Sequence, residues 1–85
     1  MKEFRVTVQD PVGIHARPAG MLVREAQRLT SEIQIRCRDR EADAKRLFAV
    51  MGLGAKHGDV LSVSVTGPQE EEDARALRGF MEKNM

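Results

Sequence analysis

The sequence predicts an α+β fold: one sheet of four strands, helices on one of its faces, water on the other. Three observations carry this. Four short runs alternate apolar and polar residues with period two, the pattern of a strand with one wet face. The segments between and after them repeat apolar residues at helical spacing. Glycine, proline and short polar clusters separate the two kinds of segment. Taken in order, the elements read β-α-β-β-α-β-α.

In the first strand Phe4, Val6 and Val8 alternate with Arg5, Thr7 and Gln9, and Asp10-Pro11-Val12-Gly13 breaks it. From Pro18 the apolar set Ala19, Leu22, Val23 and Ala26 marks a helix whose Arg24, Glu25, Gln27 and Arg28 face water; Thr30-Ser31 ends it. Ile33, Ile35 and Cys37 alternate with Glu32, Gln34 and Arg36 in a second strand. Arg38-Asp39-Arg40 reads as a tight turn, and Glu41 to Ala44 as a short return strand whose charges suit a sheet edge. Lys45 to Leu53 reads as a short helix with Leu47, Val50 and Met51 on one face, loosened by Gly52 and Gly54. After a turn at Lys56-His57-Gly58-Asp59, Val60 to Thr66 forms the fourth strand with Leu61, Val63 and Val65 inward. Gly67-Pro68 ends it. Glu70, Glu71, Glu72 and Asp73 then occupy the first turn of a last helix, where the dipole favours acids, and Ala74, Leu77, Phe80 and Met81 form its inner face.

With 85 residues the chain is expected to form a single domain, residues 1–85. A chain this short buries roughly 60–65% of its unfolded surface, enough for one core between two layers. No tryptophan or tyrosine is present, so that core is mainly aliphatic. The net charge of +1 gives no whole-molecule argument for nucleic acid. The lone Cys37 excludes an internal disulfide and a cysteine-rich zinc site, and fits a reducing compartment. No long apolar run suggests a signal peptide or membrane span, so a cytoplasmic location is expected.

The chemistry is concentrated in Gly13-Ile14-His15-Ala16-Arg17-Pro18-Ala19. A glycine permits a sharp turn. Pro18 tolerates a first helical turn, where an amide hydrogen has no partner anyway. His15 therefore falls at a helix N-terminus, where free N–H groups and the positive end of the dipole welcome an anion. Arg17 adds a fork of donors suited to phosphate oxygens. The imidazole supplies a nucleophile, and the dipole disfavours its protonated form. Such a site can take a phosphoryl group onto a histidine and pass it on. The N–H groups of Ala16 and Arg17 and the Arg17 guanidinium would neutralise the phosphoryl oxygens, so neither metal nor other cofactor is expected. His57 reads as a solvated turn residue. Phe48 is expected to be an exposed anchor, and Arg24, Arg28, Lys45 and Arg46 a cationic rim that steers an acidic partner.

The Gly13–Ala19 run, together with Lys45-Arg46-Leu47-Phe48 and Leu53-Gly54, resembles HPr, the histidine-containing phosphocarrier of the bacterial phosphoenolpyruvate-dependent sugar phosphotransferase system. The resemblance runs the length of the chain. It implies an open-faced β-sandwich: a four-stranded antiparallel sheet with three helices on one face. It also implies a carrier and not an independent enzyme. Enzyme I would pass phosphate to Nδ1 of His15, and an enzyme IIA would receive it. Arg17 matches the family arginine that steadies the phosphoryl group. Gly20, Met21, Arg24, Leu47, Phe48 and Met51 fall on the surface that docks both partners. A small carrier of this kind is expected to be a monomer.

Two departures from the family pattern stand out. Val12 occupies a position where relatives often place a polar residue able to bond the histidine ring. Arg46 stands where many relatives carry a regulatory serine, so no hydroxyl is available there for a kinase. The residues from Gly67 to Glu72 are also similar to the nitrogen-related branch of the family. A contact-only regulatory module on the same fold is the alternative, although contact alone needs no nucleophile. Nucleic-acid binding through Arg36, Arg38 and Arg40 is a third reading, disfavoured because the open face lacks stacking aromatics.

Overall fold

The structure is a computed structural model that describes residues 1–85. Its elements are β1 (Lys2–Thr7), α1 (Ala16–Gln27), β2 (Glu32–Cys37), β3 (Arg40–Asp43), α2 (Leu47–Met51), β4 (Val60–Thr66) and α3 (Glu70–Asn84). This is the order the sequence predicts. The four strands form one antiparallel sheet in the spatial order β1-β4-β2-β3. The last strand thus lies between the first two, with Phe4 opposite Val63 on one side and Ile35 opposite Val63 on the other.

Alternation decides which face is covered. Val6, Ile33, Ile35, Leu61, Val63 and Val65 are buried on the inner face. Arg5, Gln34, Arg36, Ser62 and Ser64 lie on the open face, none of them buried. The helices close the inner face with Leu22, Val23 and Ala26 of α1, Val50 of α2, and Leu77 and Met81 of α3. Cys37 is fully buried among them, and burial first, then the neighbouring Asp59 carboxylate, pushes its thiol pKa up.

Local chemistry moved several boundaries. The first helix begins at Ala16, two residues before Pro18, which takes its third position. This costs nothing, because the first intrahelical donor is the Ala19 N–H, to the His15 carbonyl at 3.0 Å. The second helix is shorter than the predicted Lys45–Leu53. The Asp43 side chain accepts the Lys45 N–H at 2.9 Å and holds residues 43–46 in a turn, so the helix starts only at Leu47. The β2–β3 turn places Arg38 at a φ of +57°, a conformation that costs a non-glycine residue about 1–2 kcal/mol. Its guanidinium offsets that cost by reaching Asp59 Oδ2 at 2.6 Å and the Gly54 carbonyl at 3.1 Å. Arg40 likewise donates to the Gly52 carbonyl at 2.8 Å. The hairpin thereby braces the segment that follows α2.

Asp73 does more than complement the helix dipole. It is buried, and its carboxylate accepts from the Ser31 N–H (3.1 Å), the Ser31 hydroxyl (2.7 Å) and the Thr30 hydroxyl (3.4 Å). The start of α3 is therefore tied to the end of the α1–β2 connection.

Candidate functional site

The loop from β1 to α1 is pinned at successive points. The Asp10 N–H donates to the Met85 carbonyl at 3.0 Å, and the Asp10 carbonyl accepts the Gly13 N–H at 2.9 Å. One carboxylate oxygen of Asp10 accepts the Val12 N–H at 2.9 Å. Gly13 then takes a φ of +85°, which only glycine adopts freely. Its Cα packs against the backbone of Ala55 and Lys56, with no space for a side chain. Ile14 donates its N–H to the Ala55 carbonyl at 3.0 Å and buries its side chain. Two residues later the chain enters α1, where Pro18 and Ala19 are again buried.

Between these anchors His15, Ala16 and Arg17 are left outside. His15 is the N-cap of α1, with φ −94° and ψ −171°, and its side chain does not cap the helix. The ring is therefore free for other work, and 42% of the side chain is exposed. The N–H groups of Ala16 and Arg17 lie in the first helical turn and have no intrahelical acceptor. Arg17 is exposed and makes no ion pair or side-chain hydrogen bond within the chain, so its guanidinium can receive an anion. Asp10 Oδ2 stands 3.7 Å from Nε2 of His15, within ion-pair range. Sequence reasoning missed this partner: with Val12 apolar, and here 72% exposed, it left the ring's orientation to backbone groups or water.

Around the site, Phe48 is 85% exposed and Leu47 projects outward too, while Met51 is half-buried against the core. These residues belong to α2, which packs beside α1. On α1 Gly20 and Met21 are partly exposed and Arg24 is exposed. Arg46 caps α2 by its backbone alone and leaves its guanidinium in solvent. Lys45 does not join the cationic rim: its Nζ donates to the Leu29 carbonyl at 2.9 Å and closes the C-terminal end of α1. Arg28 leans toward Glu25 at 3.5 Å. The guanidiniums offered for nucleic acid are also committed, Arg36 to Glu41 at 2.7 Å and Arg38 and Arg40 to the brace described above. His57 faces the Gln9 carbonyl through Nδ1 at 3.2 Å.

The molecule's largest groove lies away from His15, between β1 and α3, lined in part by Phe4, Ala74 and Arg78. A small-molecule substrate calls for a concave site. An exposed imidazole outside any such groove suits a protein partner that brings its own reactive group. No helix is long and apolar enough to cross a membrane.

A family model described as the PTS HPr component phosphorylation site matches residues 2–83. The phosphocarrier protein HPr of Mycoplasma genitalium is 39% identical over 85 residues, covering 99% of this chain and 97% of that protein. The crystal structure of an HPr-C-His protein from Thermoanaerobacter tengcongensis superposes with a TM-score of 0.91 at 33% identity, covering 99% of this chain and 94% of the other. An HPr dimer from the same organism superposes with a TM-score of 0.75 at 34% identity, covering 98% and 95%.

Proposed function

This chain belongs to the HPr family of the phosphotransferase system, and we propose that it takes a phosphoryl group from phospho-enzyme I on His15 and delivers it to an enzyme IIA. The observation that carries the reading is the exposed His15 ring at the open N-terminus of α1, with the uncommitted Arg17 guanidinium two residues on. Phosphoryl transfer needs in-line approach and neutralised equatorial oxygens more than it needs covalent help. In this reading the Ala16 and Arg17 N–H groups and the Arg17 side chain receive those oxygens. The N–P bond of the donor histidine breaks as a new N–P bond forms on His15, and the reverse exchange passes the group to the acceptor. Water takes no part, so the transfer potential is conserved.

Gly20, Met21 and Arg24 of α1 and Leu47, Phe48 and Met51 of α2 form the docking surface in this reading. An apolar centre with a cationic margin favours partners whose reactive histidine lies among acids. Arg46 adds to that margin and offers no hydroxyl for a regulatory kinase. The 85 residues act as one domain and as a monomer in the cytoplasm, since both donor and acceptor need the same face uncovered.

The test is incubation with enzyme I and phosphoenolpyruvate, followed by intact-mass measurement. One acid-labile phosphoryl group is expected on the wild type and none on His15→Ala. Arg17→Ala should still bind enzyme I but accept the group about a hundredfold more slowly. Phe48→Ala should weaken docking without lowering the melting temperature, because that ring is 85% exposed. A wild-type protein that binds partners yet is never modified would replace the carrier reading with the contact-only one.

A further inference from the structure

We infer that Asp10 is a positioning residue for this transfer: its carboxylate keeps a proton on Nε2 of His15 and so leaves Nδ1 as the nucleophilic nitrogen. The inference rests on the reading of His15 as the phosphoryl acceptor and adds to it the device that selects which nitrogen reacts.

The geometry gives Asp10 little freedom. Its N–H is held by the Met85 carbonyl and its own carbonyl by the Gly13 N–H. Oδ1 is engaged by the Val12 N–H at 2.9 Å, which turns Oδ2 toward the ring. Oδ2 lies 3.7 Å from Nε2, and no other carboxylate comes within 4 Å of either ring nitrogen. The His15 backbone is fixed in turn, its N–H on the Gly13 carbonyl at 3.2 Å and its carbonyl on the Ala19 N–H. Both side chains therefore project from one short, pinned loop.

The consequence follows from charge. A carboxylate beside Nε2 attracts an N–H there and repels a lone pair. It also repels the anionic oxygens of an approaching phosphoryl group, so that nitrogen is closed to attack. The lone pair is left on Nδ1. When the donor's N–P bond breaks and the Nδ1–P bond forms, the donor ring keeps its electron pair and the Nε2 proton stays in place. The His15 ring becomes a cation, and Asp10 sits within ion-pair range to compensate it. The retained proton also keeps the ring a good leaving group for onward transfer. Asp10 thus supplies the ring partner that Val12 cannot.

His57 provides an internal reference. Its Nδ1 faces the Gln9 carbonyl, so its proton belongs on Nδ1. The two histidines of this chain should hold opposite tautomers. The experiment is long-range proton–nitrogen correlation on the ¹⁵N-labelled full chain at a pH where both rings are neutral, with transfer rates from phospho-enzyme I measured alongside. Wild type should show the Nε2–H form at His15 and the Nδ1–H form at His57. In Asp10→Asn the amide oxygen is retained by the Val12 N–H, so the amide NH₂ faces Nε2 and the His15 proton moves to Nδ1. Transfer should then slow about tenfold, less than the ~10⁴ cost of the wrong tautomer in a buried triad, because this pair is partly solvated. Asp10→Ser keeps an acceptor for Val12 without a charge, and should fall between wild type and Asp10→Asn. An Nδ1–H tautomer at His15 in the wild type would overturn the inference. So would an Asp10→Asn variant with unchanged tautomer and rate in a chain that does accept phosphate. If the tautomers follow the expected pattern but wild type is never phosphorylated, the carrier reading fails while the hold of Asp10 on the ring stands.

Discussion

Replacing Gly13 with alanine tests whether the active loop depends on a close backbone approach as well as on an unusual backbone angle. Gly13 has a φ of +85°, which costs an L-residue about 1–2 kcal/mol. A Cβ there would lie 2.5 Å from the Ala55 carbonyl oxygen and 2.9 Å from the Lys56 Cα, both backbone atoms that cannot rotate away. That same oxygen accepts the Ile14 N–H at 3.0 Å. Relieving the clash stretches this hydrogen bond, worth about 1 kcal/mol, and loosens the buried Ile14. The expected total is about 2–4 kcal/mol. In a domain of this size each kcal/mol lowers the melting temperature by roughly 4–8 °C, so the drop should be about 8–32 °C. Gly58→Ala is the control. Gly58 has a φ of +90°, but nothing lies within 4 Å of the place its new methyl group would take, so only the cost of the angle applies. Thermal melts and urea titrations of both variants isolate the clash as an excess of about 1–2 kcal/mol in Gly13→Ala. Equal melting temperatures for the two variants would refute the close-approach argument.

Two further outcomes follow from buried or bridging carboxylates. Asp73→Ala leaves the buried N–H and hydroxyl of Ser31 without their acceptor and should cost about 2–4 kcal/mol by urea denaturation, whereas Asp73→Asn, which keeps an acceptor oxygen, should cost less. Asp59 is held below the usual carboxylate range, first by the Lys56 N–H and then by the Arg38 guanidinium, against an opposing contribution from burial. A folded value below the unfolded one, about 3.9, means that its stabilisation is complete above that pH and is lost as pH falls through the folded value. Melting temperatures followed from neutral to acid pH should therefore show Asp59→Asn below wild type near neutrality, with the two curves converging in acid.

What could be read from the sequence was what lay close together along it. The strand from Val60 to Thr66 has the predicted ends because its alternation is uninterrupted and Gly67 follows directly. The His15 site was legible for the same reason: a turn glycine, a histidine, an arginine and a first-turn proline stand within one run of seven residues. Strand order was not written locally. All four strands carry similar inward aliphatic residues, and only three-dimensional packing places β4 between β1 and β2. Side chains that act at a distance were misread in the same way. Lys45 looked like a surface cation until the fold brought the Leu29 carbonyl to its Nζ. Asp73 was indistinguishable from its three acidic neighbours until Ser31 was packed beneath it. Asp10 shows the limit most sharply, because it stands only five residues before His15 and was still missed. In an extended chain those five steps would span roughly 17 Å. The positive φ of Gly13 and the Asp10–Val12 turn fold that span back to a 3.7 Å contact. The ring's partner is thus a product of the turn. A search for it by residue type at the neighbouring position fails because a loop can deliver the same carboxylate from farther back.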